Sequence, residues 1–265
     1  MSRIALIAGE GRLAPAIAEA LGQPLVYALD HLCPEVTAKP FRLERLVPFL
    51  DELTDQGVDQ VVFAGAIRRP RIEPDLFDPR TMAIVPKILM GMQSGDDAAL
   101  RAVLDVFEEA GIRIRSVDEI LPDLVPGEGV LAGEPAPRDQ KDAARAAEIV
   151  AGLGPLDIGQ GAVVAQGLCL AVEALPGTQA MLAFAGLHAG LKPDPNGAKG
   201  VLYKAPKPGQ DRRIDLPTIG PDTVRQVAEA GLGGIVWQAG SVILLDRDAA
   251  IACAEQSGLF LWARP

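Results

Sequence analysis

Histidine, aromatic residues and positive charge are all scarce in this 265-residue chain. Its two histidines, His31 and His188, stand far apart, which argues against a dinuclear metallophosphoesterase or a zinc hydrolase, since both draw on several imidazoles. Two Trp, two Tyr and seven Phe leave a core that must be built from Ala, Val, Leu and Ile. Lys and Arg number 25 against 35 Asp and Glu, a formal net charge of −10. Nucleic-acid affinity comes from clustered cations, so no nucleic-acid partner is expected. The three cysteines, Cys33, Cys169 and Cys253, are isolated and form no C-x-x-C; they read as reduced, packed thiols of a cytosolic protein. Long apolar runs are missing too. Ile4–Ala8 is broken by Gly9, too soon for a signal peptide, and no stretch approaches the length of a membrane-spanning helix.

What is present is a globular composition, 49% hydrophobic, punctuated by 28 Gly and 22 Pro. The length favours two domains. The first half alternates strands (4–8, 25–29, 61–65, 112–115) with helices (13–21, 43–54, 79–92, 96–110). This alternation predicts an α/β, Rossmann-like, doubly wound parallel sheet. Gly and Pro crowd 122–137, and the boundary is placed there, giving a Rossmann-like domain over 1–132 and a mixed α+β catalytic domain over 133–265. The second half reads as a helix over 139–153, a hairpin around Gln166-Gly167, helices near 178–188, after 221 and near 248–256, and strands at 200–204, 234–237, 242–245 and 259–262.

Four segments could carry chemistry. Gly9-Glu10-Gly11-Arg12-Leu13-Ala14 fits G-x-G-x-x-G/A after a strand, with Asp30 ending the next strand. It could seat a dinucleotide, another nucleotide phosphate, or nothing but a tight turn, and Glu10 counts against a pyrophosphate beside it. Gly95-Asp96-Asp97 opens a helix, where the acids serve as caps or hold a divalent cation or ribose hydroxyls. Asp157-Ile158-Gly159-Gln160-Gly161 is a turn, or a place where a ligand approaches the backbone. The richest is Lys204–Gly220, where Lys204, Lys207, Arg212 and Arg213 are held by Pro and Gly in a non-helical path. It suits a phosphorylated ligand, or is a surface loop of solvated charges. Within it Asp215, between Ile214 and Leu216, is expected to be part-buried and to need a partner or a metal. Ala180–Leu191 carries no charge and reads as a core helix or a lipid slot, with His188 packed or capping at its end. Neither a P-loop nor a G-x-S-x-G is present.

These segments together resemble the LpxI family of UDP-2,3-diacylglucosamine pyrophosphatases. The resemblance rests on Leu6–Leu13, Phe63-Ala64-Gly65, Gly95–Ala98, Leu156–Val164, Ala171–Ala174 and above all Lys204-Ala205-Pro206-Lys207-Pro208 through Gly220. It implies a hydrolase of lipid A biosynthesis that needs Mg²⁺. Water would attack the sugar-side phosphorus, giving UMP and 2,3-diacylglucosamine 1-phosphate. It further implies a critical aspartate at Asp215, as metal ligand or as the group orienting the water, and substrate contacts from Gly11, Arg12, Ala64, Gly65, Gly95, Asp96, Asp97, Gln160, Gly161, Thr178 and Lys204, with Lys207 as a second cation at the phosphates. Two positions depart from the family pattern, Gln179 and Gln238 standing where it carries acids. An NAD(P)-dependent oxidoreductase and a non-catalytic UDP-lipid-binding protein are the alternatives. A lipid substrate without a spanning helix implies a cytoplasmic protein that visits the inner membrane transiently through an apolar patch. Homodimer formation is left open.

Overall fold

The computed structural model describes residues 3–67, 71–93 and 96–265. The chain divides into two compact units, Met1–Pro122 and Asp123–Pro265.

The first unit holds β1 (Ile4–Ala8), α1 (Leu13–Ala20), β2 (Leu25–Leu29), β3 (Lys39–Phe41), α2 (Leu46–Asp55), β4 (Gln60–Ala64), α3 (Pro79–Gln93), α4 (Asp96–Glu109), β5 (Arg113–Arg115) and α5 (Val117–Ile120). Its sheet runs β3-β2-β1-β4-β5, and every pair is parallel. This is the Rossmann-like order, with the direction of winding reversing between β1 and β4. Ala5, Leu6, Ile7, Val61 and Val62 are buried because helices cover both faces of such a sheet. In α2, Leu46, Phe49, Leu50 and Leu53 share one buried stripe. Pro48 is tolerated there because it sits in the first turn, whose N–H groups have no partner within the helix. β3 was not anticipated. Pro40 masks it in the sequence, and it is accommodated because β3 is the sheet edge.

The second unit holds β6 (Gly129–Ala132), α6 (Pro137–Leu153), β7 (Gly161–Ala165), β8 (Leu168–Val172), α7 (Gly177–Leu187), β9 (Val201–Lys204), β10 (Thr218–Ile219), α8 (Pro221–Glu229), β11 (Gly234–Gln238), β12 (Ile243–Leu244), α9 (Arg247–Gln256) and β13 (Phe260–Arg264). Six strands form a mixed sheet, β6-β13-β11-β9-β7-β8. β9, β11 and β13 are parallel, while β6 and β7 run against them. Ala143, Ala146 and Val150 of α6 pack on one face against Val164, Tyr203 and Phe260. Leu182 of α7 and Val224 and Val227 of α8 pack on the other, around the fully buried Trp237. The β7–β8 turn uses left-handed Gln166 and Gly167 (φ 56° and 79°), whose N–H groups donate to the buried Asp142 carboxylate of α6 at 2.9 and 2.7 Å. A short pair, β10 with β12, completes the unit.

The glycine- and proline-rich stretch placed at the domain boundary is not merely a connection. It contains β6, an edge strand on β13, so the second unit begins at Asp123 rather than at 133. The cysteines also differ from expectation. All three are free, but Cys33 and Cys169 are exposed and Cys253 half-buried, so the packed reading holds for none of them in full.

Both tyrosines are buried. Tyr27 is pushed up to about 12, first by burial and then by the Glu52 carboxylate to which its hydroxyl donates at 2.9 Å. Burial also raises Tyr203. The unfolded chain releases these protons near pH 10, before the folded one does, so stability falls as pH rises from 10 towards 12. An ultraviolet titration of the folded protein is expected to show no tyrosinate band at pH 10, and a band there would contradict this burial.

Candidate active site

In the first unit the candidates gather where β1 and β4 end. Gly9 and Gly65 lie back to back: a Cβ on Gly9 would come within 2.6 Å of the Gly65 carbonyl carbon, and one on Gly65 (φ +106°) within 2.7 Å of that of Gly9. The loops beyond are tied by paired bonds, Glu10 N–H to Ala66 O at 2.8 Å and Ala66 N–H to Glu10 O at 2.9 Å, while Gly9 N–H reaches Ala64 O at 2.8 Å. Gly11 also has positive φ (+86°), but a Cβ there would meet nothing within 4 Å. Arg12 stands at the N-cap of α1, where its side chain makes no capping hydrogen bond, and no acid lies in the first turn. The nicotinamide reading loses its footing here. The bridge joins the two loops where the winding reverses, the crevice a dinucleotide crosses, and Asp30 is already engaged by Arg42. Asp96 and Asp97 begin α4, and Gly95 lies outside the described residues.

In the second unit one end of the sheet gathers the polar residues. The parallel strands β9 and β11 finish there at Lys204 and Gln238, β7 starts there at Gly161, and Glu173 follows β8. Gly161 is register partner to Lys204. The Lys204 side chain is only 5% exposed and Glu173 12%. Lys204 Nζ donates to Thr178 Oγ1 at 2.7 Å and to Glu173 Oε1 at 3.4 Å, and lies 3.3 Å from Glu173 Oε2. The Thr178 hydroxyl in turn donates to Glu173 Oε1 at 2.7 Å. Glu173 Oε2 is buried and accepts no hydrogen bond among the described residues. Three side chains from β9, α7 and the end of β8 thus form a closed polar cluster.

The Gly-Gln-Gly motif serves this cluster. A Cβ on Gly159 (φ +55°) would sit 2.0 Å from the Glu173 carbonyl oxygen, and one on Gly161 2.8 Å from Glu173 Oε2. What approaches the backbone of Gly159 and Gly161 is Glu173. Glu173 N–H donates to Gly161 O at 2.8 Å, and Ala205 N–H to Gln160 O at 3.0 Å, so Gln160 and Gly161 join both neighbouring segments. Glu173 is the residue the motif reading overlooked. The signal available was an acid ending an otherwise uncharged hairpin.

Beyond Lys204, two of the three cations are in ion pairs. Lys207, 10% exposed, forms an ion pair with Asp157. Arg213 grips Asp211 through Nε at 2.9 Å and Nη2 at 2.6 Å. Arg212 bonds the Gly240 carbonyl and, at 2.8 Å, the Ser241 hydroxyl. Asp215 is half-buried, its N–H held by the Asp211 carbonyl at 3.2 Å. Four cations, Lys204, Lys207, Arg212 and Arg213, stand against four acids, Asp157, Glu173, Asp211 and Asp215, so this assembly carries no net charge. Among the described residues no group of three or more His, Cys, Asp or Glu is placed to hold a metal. Gln179 is exposed on α7 and Gln238 half-buried at its strand end. The surface depression at Asp123–Asp246 (about 600 Å³) is lined by none of these candidate residues, and the one at Ala28–Pro40 (about 280 Å³) by Asp30 alone of them.

The glycines make a graded prediction. Gly159→Ala combines positive φ with a backbone clash and should cost the second unit upwards of about 2 kcal/mol in urea unfolding. Gly161→Ala meets the far end of a side chain and should cost less. The reverse order would show that Glu173 is not seated on the motif.

The LpxI N-terminal domain family matches residues 3–124 and the LpxI C-terminal domain family residues 127–262. A curated relative, the UDP-2,3-diacylglucosamine pyrophosphatase LpxI of Caulobacter vibrioides, is 44% identical over 211 residues, covering 79% of this chain and 75% of that protein. The family matches and this identity extend across both units, and the chain belongs to the LpxI family.

Proposed function

We propose that this protein hydrolyses the pyrophosphate of UDP-2,3-diacylglucosamine to UMP and 2,3-diacylglucosamine 1-phosphate, as the name of its 44%-identical relative indicates. The observation that carries the reading is the Lys204 cluster: a cation fixed at the ends of parallel strands, where α/β sheets bind their ligands. The oxygen of water joins one phosphorus, the bridging P–O bond breaks with its electron pair passing to the departing phosphate, and the protons of the water pass to solvent. Donors held in place before the reaction stabilise that charge without reorganising. Lys204 is one such donor, and Lys207, fixed by Asp157, is a second.

Mg²⁺ belongs to this proposal, with Asp215 as its protein ligand. Once Asp157 and Glu173 are counted with the Lys204–Asp215 segment, its four cations are matched by four acids, which leaves a pyrophosphate's charge without a surplus of protein cations to meet it. Mg²⁺ commonly takes one or two carboxylates plus substrate phosphate oxygens, a demand that a single half-buried aspartate fits. When bound, it would supply charge neutralisation on the phosphoryl oxygens. UMP release from the UDP-lipid is expected for the wild-type chain and should be lost in Asp215→Ala and on chelation. Undiminished release by Asp215→Ala would remove Asp215 from the reaction.

Among the described residues no helix is long and apolar enough to cross a membrane. We place the meeting with the lipid at the cytoplasmic surface of the inner membrane, and α7 with the turn after it supports this. No charged residue occurs from Ala174 to Leu191, and Leu175, Phe184, Leu187 and Leu191 are 99%, 51%, 84% and 70% exposed. Phe184→Asp with Leu187→Asp should weaken co-sedimentation with phospholipid vesicles and turnover of the diacyl substrate, with an unchanged circular dichroism spectrum. Vesicle binding equal to the wild type would exclude this face.

A further inference from the structure

The buried carboxylate of Glu173 has no place in the hydrolysis as described, yet three features of the chain are arranged around it. Gly159 and Gly161 leave room for its carbonyl and its carboxylate, Thr178 donates to it at 2.7 Å, and Lys204 Nζ stands 3.3 Å from one oxygen and 3.4 Å from the other. An ammonium on a four-carbon stem has many rotamers, and a cation that is to meet a phosphate in one place must be stopped from using them. Thr178 takes one N–H of Lys204, and Glu173 takes a second, weaker contact. A third N–H then has its direction fixed by the first two. A buried ion pair is poor evidence for stability, because desolvating both partners offsets much of their attraction. Its effect here is on where the Lys204 charge stands and how much of it is felt.

We propose that Glu173 is a positioning residue for the pyrophosphate hydrolysis, acting through Lys204: with Thr178 it holds the ammonium in the orientation that the transition state needs and balances its charge in the ground state. The inference rests on the hydrolase reading above. It has a distinctive consequence. Glu173→Gln keeps the shape of the side chain but leaves Lys204 uncompensated and loosely held. The substrate's negative charge is then bound as well or better, while the alignment that serves the transition state is lost. A residue that served folding alone would lower the melting temperature and the amount of active enzyme, with KM unchanged.

The test compares wild type, Glu173→Gln, Thr178→Val, Lys204→Met and the Glu173→Gln/Lys204→Met double variant in UMP-release kinetics. The melting temperature of each and the rate at which acetic anhydride labels Lys204, relative to the exposed Lys199, are measured alongside. For Glu173→Gln we expect kcat to fall about tenfold with KM equal or lower, and labelling of Lys204 to rise several-fold. In the Lys204→Met background the same substitution should change kcat by less than about twofold, since the group it acts through is gone. Thr178→Val should show the same split, which keeps the inference open to refutation if Glu173→Gln does not fold. A raised KM with unchanged kcat, additive effects in the double variant, or unaltered Lys204 labelling would each overturn it. If the wild-type chain releases no UMP, the hydrolase reading fails, and the labelling comparison still decides whether Glu173 holds Lys204.

Discussion

Lys204 brings an ammonium group to a place almost closed to water, and much of the second unit is arranged to make that tolerable. An unpaired charge there would be severely penalised. The pairing with Glu173 requires the end of β8 to lie against the end of β9, two strands that are not neighbours, with β7 between them. That is possible only because β7 begins with Gly161, over which the carboxylate passes, and because Gly159 yields to the Glu173 backbone. Thr178 then ties the first turn of α7 to the same point. The hairpin, a parallel strand and a helix start are fixed by one cluster of three side chains.

The same economy of charge extends through the segment that follows. Lys207 with Asp157 and Arg213 with Asp211 are pairs whose members come from turns, where side chains would otherwise wander. A loop of free lysines and arginines would attract any polyanion from a distance. One whose cations are held by carboxylates, or in the case of Arg212 by a carbonyl and a hydroxyl, presents donors in defined directions. On the proposed reading, selectivity for a nucleotide-linked lipid then comes from geometry.

The alternation of strand and helix in the first half is legible because buried parallel strands read as unbroken apolar runs while helices show a stripe. β3 and β6 escape that reading for a shared reason. Both are short edge strands, one containing Pro40 and the other opening at Gly129, so their residues look like punctuation. Candidate residues clustered by motif, such as Gly159-Gln160-Gly161, could be found because their conformational demand is local. What those glycines accommodate could not be found that way. Glu173 is apart in sequence from both Gly159 and Lys204, and only the sheet order brings the three together. The pairing state of the loop charges was hidden likewise, since Asp157 and Lys207 are 50 residues apart.

The sequence left a core reading and a lipid reading of α7 open, and its apolar residues divide between a buried face and an exposed one. Met181, Leu182 and Ala185 are buried in the core. Phe184 and Leu187 face outwards, and His188 caps the end, stacked on Phe184 at 4.2 Å with Nδ1–H donating to its carbonyl at 2.8 Å. A helix apolar all round gives no sequence contrast between a face that packs and a face that does not. Its other property is length. From Thr178, which holds Lys204, to Leu187 the helix rises about 14 Å at 1.5 Å per residue. A molecule with a pyrophosphate at one end and acyl chains at the other has a comparable separation of polar and apolar parts. On the proposed reading a single rigid helix therefore serves both, its first turn fixing the charged group that meets the phosphates and its last turns offering the surface that meets the lipid.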